Sequence, residues 1–163
     1  MKLNNILKET KKGTYVGVKF SQDDEEIIVS IIEKIGVPNP IAREDIHSTL
    51  LYSRKYLANY KVPSETDMYV YPKEFHIFNG QDGKDILVIK LDSLDLSKRH
   101  EELMKEHNAT YDFPEYIPHI TLSYDIEGFM TLPEIKKKFS DLLPEKFHIV
   151  SEYVEDLDLE WKY

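Results

Sequence analysis

Hydrophobic and polar residues alternate with a period of two along several short segments of the chain, and this alternation predicts β-strands. The segments are rich in β-branched and aromatic residues. Residues 79–83 form a loop with two glycines between two of the segments, which favours a hairpin. We predict strands at residues 13–20, 45–53, 68–80 and 84–92, another around residue 119, and one or two strands over residues 147–163.

Three segments between these strands carry helix signals. Ser21 and Asp24 resemble a capping box, and Gly36 stands where the glycine after a helix belongs. Thr131 with Glu134 is a second capping box, and the amphipathic pattern after it continues to about residue 143. A shorter helix is predicted at residues 97–108. Helices and strands therefore interleave, which predicts an α+β fold, and the length favours a single domain over residues 1–163.

Two of the strand-like segments resemble each other, DIHSTLLYS at residues 45–53 and YIPHITLSY at residues 116–124. Their comparable local contexts suggest a two-lobed sheet with pseudo-symmetry. Because residues i and i+2 of a strand face the same side, His47 shares a face with Thr49. In the same way, His119 shares a face with Thr121. The opposite face of the first strand is predicted to carry Ser48, Leu50 and Tyr52.

Chance gives roughly 0.26 copies of His-x-Thr in a chain of this composition, and two copies in roughly three chains per hundred. The pair therefore indicates chemistry, provided that the two strands lie close together in the fold. A neutral imidazole can take a proton from an attacking hydroxyl or water, and a protonated one can give a proton to the leaving oxygen. Threonine hydroxyls can bind the non-bridging phosphate oxygens. This is acid–base cleavage of a phosphodiester without metal, and either histidine can be the base, depending on how the ligand is oriented.

The composition excludes other kinds of chemistry. The chain has no cysteine, which excludes a thiol nucleophile, a thiolate zinc site and a disulfide, and suits a reducing compartment. A net charge of −9 disfavours a long nucleic acid as partner, although a pocket can still hold a small nucleotide. We find no signal-peptide h-region and no apolar run near ~20 residues. We therefore expect a cytosolic protein without a membrane partner.

HSTL at residues 47–50 and HITL at residues 119–122 resemble the duplicated H-x-[ST]-hydrophobic signature of the 2H phosphoesterase superfamily. The resemblance implies a bilobal α+β fold of antiparallel sheets with flanking helices and a central cleft. It also implies a catalytic tetrad that acts without metal or cofactor, made of His47, Thr49, His119 and Thr121.

Within this superfamily the chain, from MKLNNILKETKKGTYVGVKF to LDLEWKY, is similar to the anti-CBASS phosphodiesterases of T-even-type bacteriophages. That resemblance implies a cyclic di- or trinucleotide substrate, such as cyclic GMP-AMP or cyclic triadenylate, and action in the cytoplasm of an infected bacterium. It implies that a ribose 2′-hydroxyl next to adenine attacks the 3′-5′ linkage. It also implies that Tyr15 and Trp161 contact adenine and that Glu155 accepts a hydrogen bond from a base amine.

The tetrad alone leaves other functions open. RNA 2′,3′-cyclic phosphate ends and 2′-5′ oligoadenylates are alternative substrates for the same residues. A nucleotide sponge without turnover is a third alternative, although sequestration does not require two proton-transfer groups.

The remaining histidines lack a threonine two residues on. We predict that His76 and His148 are strand positions without chemistry, and that His100 and His107 are surface residues of one helix. The lysines at residues 136–138 are predicted to be the solvated face of a helix.

Overall fold

The computed structural model describes residues 12–80, 82–111, 113 and 115–158. These ranges contain strands and helices in an interleaved order, which confirms the predicted α+β class. Short 3₁₀ turns lie at Arg43–Asp45 and Ser140–Leu142. The elements are β1 (Lys12–Phe20), α1 (Gln22–Ile35), β2 (Ser48–Ser53), β3 (Met68–Asn79), β4 (Asp85–Asp92), α2 (Leu94–Glu106), β5 (His119–Ser123), α3 (Leu132–Phe139) and β6 (Phe147–Asp158).

The six strands form one antiparallel sheet in the order β2-β1-β6-β3-β4-β5. The long strand β3 joins two halves, because residues 68–70 pair with β6 and residues 71–79 pair with β4. Each half contains three strands, and the outermost strand of each half carries one of the two His-x-Thr motifs, with His47 immediately before β2 and His119 as the first residue of β5. The arrangement is therefore two-lobed, with the two motifs at opposite ends of the sheet order.

The helix α1 follows from its caps and its apolar stripe. The Ser21 hydroxyl accepts a hydrogen bond from the Asp24 amide, and Gly36 adopts the left-handed conformation at φ 71° that favours glycine. Isoleucines spaced three and four residues apart are buried on one face of the helix. They pack with residues of both halves of the sheet in one core, which includes Val18, Leu51, Phe75, Ile89, Ile120 and Phe147.

The other two helices differ from their predicted bounds. Ser93, whose hydroxyl accepts from the Leu96 amide, starts α2 three residues earlier than the sequence pattern indicates. The Thr131 cap of α3 is confirmed, but the helix ends at Phe139 and tightens into a 3₁₀ turn. His100 is also not the surface residue that we predicted, because it is only 8% exposed against β2 and the loop before β5. None of the helices in the described ranges is long and apolar enough to cross a membrane.

Strand β2 contains a bulge that reverses its side-chain alternation. On the neighbouring strand, Val16 pairs with Leu51 while Gly17 pairs with Thr49, so Leu50 has no partner on β1. Beyond the bulge Tyr52 pairs with Tyr15 and lies on the same face as Thr49. The predicted placement of Tyr52 on the opposite face is therefore wrong, because a strict period of two does not anticipate an extra residue.

Candidate active site

A cleft of about 1260 Å³ separates the two edge strands of the sheet. Its walls include both copies of the His-x-Thr motif, although β2 and β5 are not neighbours in the sheet. The structure thus brings together the four residues that the sequence pattern selected, which are His47, Thr49, His119 and Thr121.

The same kind of hydrogen bond, to the backbone carbonyl two residues earlier, orients both imidazoles. The Nδ1 atom of His47 lies 2.6 Å from the Asp45 carbonyl oxygen, and that of His119 lies 2.8 Å from the Ile117 carbonyl oxygen. A carbonyl oxygen can only accept, so each Nδ1 carries the hydrogen. The Nε2 atom of each ring is therefore left to accept a proton, or to donate one when the ring is charged.

Each threonine hydroxyl of the motif lies beside a tyrosine hydroxyl. Thr49 Oγ1 lies 2.7 Å from the Tyr15 hydroxyl, and either of the two can donate. Thr121 interacts with the Tyr124 hydroxyl. Burial raises the pKa of both tyrosines, so they remain protonated donors at neutral pH. A tyrosine that donates to the threonine oxygen leaves the threonine hydrogen available for a ligand oxygen.

The two imidazoles have lowered pKa values for partly different reasons. Burial is the main cause for both, because it disfavours the charged ring. The Lys19 ammonium lowers the pKa of His47 further, while the carboxylates of Asp45 and Glu155 raise it. For His119, the charge of His47 lowers the pKa in addition to burial. His119 is thus close enough to His47 to sense its charge.

Two of the three residues with an implied ligand contact lie in the same cleft. Tyr15 on β1 is the register partner of Glu155 on β6, so the two side chains share a face. The Tyr15 ring centroid is 6.0 Å from that of His47, and Glu155 is exposed at the cleft wall. Trp161 lies outside the described residues.

The sequence reasoning missed several residues that line the cleft. Tyr153 packs against the rings of both Tyr15 and His47, and burial raises its pKa to about 12. A signal was available for Tyr153 and for Lys19, because each lies an even number of residues along a strand from a predicted site residue. Phe78, whose ring contacts His119 at 5.2 Å, had no such signal and reaches the cleft from β3.

Gly17 provides the space for the Tyr153 ring. A Cβ atom at this position would lie 2.6 Å from the Tyr153 hydroxyl oxygen, well inside van der Waals contact. A glycine in the middle of β1 therefore permits this aromatic side chain to pack close to the strand beside Tyr15, with the two rings tilted by 42°.

His76, His148 and the lysines at residues 136–138 lie away from the cleft. His76 packs edge-on against Phe78, and His148 pairs with Asp67 at 2.6 Å and stacks on Tyr69. Lys136, the first of the three consecutive lysines, forms an ion pair with a carboxylate of β3 at 3.1 Å. Across the part of the chain that the structure describes, no group of three or more histidine and carboxylate side chains is arranged to hold a metal ion.

Comparison with solved structures identifies the fold. The crystal structure of E. coli LigT complexed with ATP matches with a TM-score of 0.54 at 13% identity, covering 89% of this chain and 86% of that one. The complex with 3′-AMP gives a TM-score of 0.53 at 14% identity, covering 90% and 87%. The fold is that of the 2H phosphoesterases.

Sequence comparison is more specific. The family model for the Anti-CBASS protein Acb1 matches residues 12–163. The Acb1 protein of Vibrio phage KVP40 is 35% identical over 164 aligned positions, covering 99% of this chain and 97% of that protein. The Acb1 protein of Enterobacteria phage T4 is 34% identical over 160 positions, covering 94% of each chain. The chain belongs to the anti-CBASS protein Acb1 family, which confirms both resemblances that the motifs carried.

Proposed function

We propose that this chain is a phosphodiesterase that cleaves cyclic di- and trinucleotides in the cytoplasm of an infected bacterium, and that it thereby counteracts CBASS defence. The catalytic tetrad is His47, Thr49, His119 and Thr121. The observation that carries the proposal is the pair of imidazoles in one cleft, each with Nδ1–H bonded to a backbone carbonyl and with no hydrogen-bond partner for Nε2 among the described residues. Membership of the anti-CBASS family supports the biological role.

In the first step, the 2′-hydroxyl next to adenine attacks the phosphorus of the 3′-5′ linkage. One imidazole takes the hydroxyl proton at Nε2, and the other, protonated, gives a proton to the departing 5′ oxygen. The P–O5′ bond breaks as the P–O2′ bond forms, which opens the ring and leaves a 2′,3′-cyclic phosphate. The two histidines have then exchanged protonation states.

A second step can use the exchanged states without further adjustment. The imidazole that is now neutral takes a proton from water, which attacks the cyclic phosphate, and the other returns its proton to the departing ribose oxygen. Each ring thus serves once as acid and once as base, and the pair ends in its starting state. Because each Nδ1 is held on a carbonyl, all four transfers occur at Nε2.

The threonine hydroxyls stabilise the charge that builds on the non-bridging oxygens. Thr49 and Thr121 each lie beside a tyrosine hydroxyl, and when that hydroxyl donates to the threonine oxygen, the threonine hydrogen is available for phosphate. Donors fixed in advance around a developing charge are effective because they need no reorganisation during the reaction.

The size and charge of the cleft favour a cyclic oligonucleotide over long RNA. Its volume of about 1260 Å³ exceeds the ~300–1000 Å³ that is usual for small-ligand sites, so it has room for more than a mononucleotide. Among its described lining residues, Lys19 is the one lysine or arginine, whereas six residues are carboxylates. Extended phosphate chains are poorly matched to such walls. Tyr15, Glu155 and Trp161 are the proposed adenine contacts.

The test is incubation of the purified protein with cyclic GMP-AMP in excess EDTA, followed by chromatography of the products. The double variant His47→Ala/His119→Ala is the control, and a cyclic analogue with a 2′-deoxyribose next to adenine is run in parallel. We expect the wild type to linearise only the ribose substrate, and the double variant to leave it intact. Consumption of RNA 2′,3′-cyclic phosphate ends or 2′-5′ oligoadenylates, with cyclic GMP-AMP untouched, would refute the proposed substrate class. Tight binding without any product would indicate a sponge.

A further inference from the structure

The two motif strands form opposite edges of the sheet, so no backbone ladder between them fixes the distance between their histidines. A proton relay through two imidazoles nevertheless requires that they keep one separation, because a misplacement of 1 Å can cost about 100-fold in rate. Some other contact must hold β2 against β5.

Ser48, the middle residue of the first motif, makes one such contact. Its side chain is 1% exposed, and its Oγ donates to the His119 carbonyl oxygen at 2.8 Å. On β5, the preceding carbonyl of Pro118 accepts from the Leu91 amide at 2.9 Å. Successive carbonyls of a strand point to opposite sides, so the His119 carbonyl faces β2, where Ser48 is its donor.

Tyr116, three residues before the second motif histidine, makes the reciprocal contact. Its hydroxyl donates to the Thr49 carbonyl oxygen at 2.7 Å. The ring stacks on the buried His100 with centroids 4.1 Å apart, and His100 Nδ1 bonds the Leu50 carbonyl at 2.6 Å. At the bulge, two successive backbone carbonyls therefore accept from outside the sheet. The Thr49 carbonyl accepts from Tyr116 in the loop before β5, and the Leu50 carbonyl accepts from His100 in α2. Burial raises the pKa of Tyr116, so its hydroxyl remains a donor.

We propose that Ser48 and Tyr116 are positioning residues that clamp the two motif strands together and thereby set the separation of His47 and His119. Each bond runs from one motif region to the backbone of the other, so the pair resists both sliding and opening of the cleft. Neither side chain lines the cleft, so neither needs to touch the ligand. The effect on turnover rests on the proposed function, whereas the effect on the distance between the imidazoles does not.

The variants are Ser48→Ala and Tyr116→Phe, each with a matched control. Ser53→Ala removes another buried, hydrogen-bonded serine from β2, but one whose partners are Thr110 and Lys55. Tyr60→Phe removes a buried tyrosine hydroxyl that accepts from Arg99, away from both motifs. Tyr116→Phe keeps the ring on His100, so it remains decisive if Ser48→Ala fails to fold.

Two readouts separate positioning from a general loss of stability. The first is turnover of cyclic GMP-AMP, for which we expect kcat to fall about 10- to 100-fold in each clamp variant with little change in KM. The second is an NMR titration of His47 and His119 in the free protein, which needs no activity. When the strands separate, the charge of His47 acts less on His119, so the pKa of His119 should rise towards its ordinary value. Lys19, Asp45 and Glu155, the other charges around His47, are retained in every variant.

The outcomes are distinguishable. Clamp variants that match Ser53→Ala and Tyr60→Phe in both readouts would overturn the positioning role while leaving the proposed function intact. A wild type that cleaves no cyclic nucleotide would refute the proposed function, and the titration would then decide the clamp alone. A shifted His119 titration in the clamp variants, with unshifted controls, would support the clamp in either case.

Discussion

The two His-x-Thr regions have the same local construction but different surroundings. In both, a backbone carbonyl two residues earlier orients the imidazole, and a tyrosine hydroxyl contacts the threonine. Around His47, however, lie a lysine, two carboxylates and the rings of Tyr15 and Tyr153. His119 packs edge-to-face with Phe78, and in the part of the chain that the structure describes, the formal charge that lowers its pKa is that of His47.

This difference shows that a repeated motif does not give two equivalent histidines. The hydrogen bond from Nδ1 to the nearby backbone carbonyl fixes the tautomer of each ring, whereas residues from other strands set the pKa of each ring. The side of His47 is polar and responds to neighbouring charges, whereas the side of His119 is apolar and responds mainly to burial.

Removing either imidazole should remove one of the two proton carriers that the proposed reaction needs. We expect His47→Ala and His119→Ala each to lower turnover of cyclic GMP-AMP by about 100- to 10,000-fold, with ligand binding largely retained. Single-turnover kinetics and equilibrium binding measure the two effects. His76→Ala, on a strand but outside the cleft, is the control. A near-wild-type rate in either motif variant would contradict the mechanism.

Removing one threonine hydroxyl tests whether the two regions share the stabilisation of phosphate charge. Thr49→Val and Thr121→Val preserve shape, and we expect kcat to fall by about 100- to 1000-fold in each, as for loss of one oxyanion donor. A matched substitution away from the cleft, Thr110→Val, should leave kcat unchanged. If only one motif variant loses activity, the phosphate is bound by one region alone.

The ring of Tyr15 lies next to His47, so its removal should weaken the contact with a ligand base on that side of the cleft. Stacking on a base contributes ~1 to 3 kcal/mol, and Tyr15→Ala should therefore weaken binding of an adenine-containing ligand by roughly 5- to 150-fold. Tyr15→Phe keeps the ring and should bind normally, while losing part of kcat through the Thr49 hydrogen bond. Calorimetry on both variants separates the two contributions, and equal affinities in them would argue against stacking.

The lowered pKa values predict the pH dependence of the reaction. Turnover needs one protonated and one neutral imidazole. In the free protein the pKa of each ring lies below its ordinary value of 6.5, so neutral rings predominate above that pH. The optimum of kcat/KM should therefore lie on the acid side of pH 6.5, with activity falling as pH rises through the upper pKa. A bound phosphate favours the charged ring, so the kcat profile should lie at higher pH. An optimum of kcat/KM above pH 7 would contradict this.

Glu155 and Lys19 provide a direct test of the electrostatic difference between the two regions, although the expected effects are small. Glu155→Gln removes a carboxylate that raises the pKa of His47, and Lys19→Met removes an ammonium that lowers it. NMR titration should show the pKa of His47 moving down in the first variant and up in the second. The pKa of His119 should change much less in both, and an equal change in both rings would show that the two regions are not electrostatically distinct.

The helices and most strands were predictable because their signals are local. The caps of α1 and α3 and the hairpin between β3 and β4 follow from residues within a few positions of each other. The register of β2 was not, because a bulge depends on the pairing strand rather than on the bulged strand itself. The early start of α2 and the burial of His100 likewise depend on what packs against that helix.

The sequence by itself determined the two His-x-Thr motifs, the reaction type that they suit and the family resemblance, because all three are properties of residue identity and spacing. Tertiary structure decided the rest of the site. It brought two sheet edges together through Ser48 and Tyr116, placed Tyr153 over Gly17, and surrounded His47 and His119 with unlike neighbours. The physical reason is that proton affinity and separation depend on atoms from distant strands, whose positions no local pattern records.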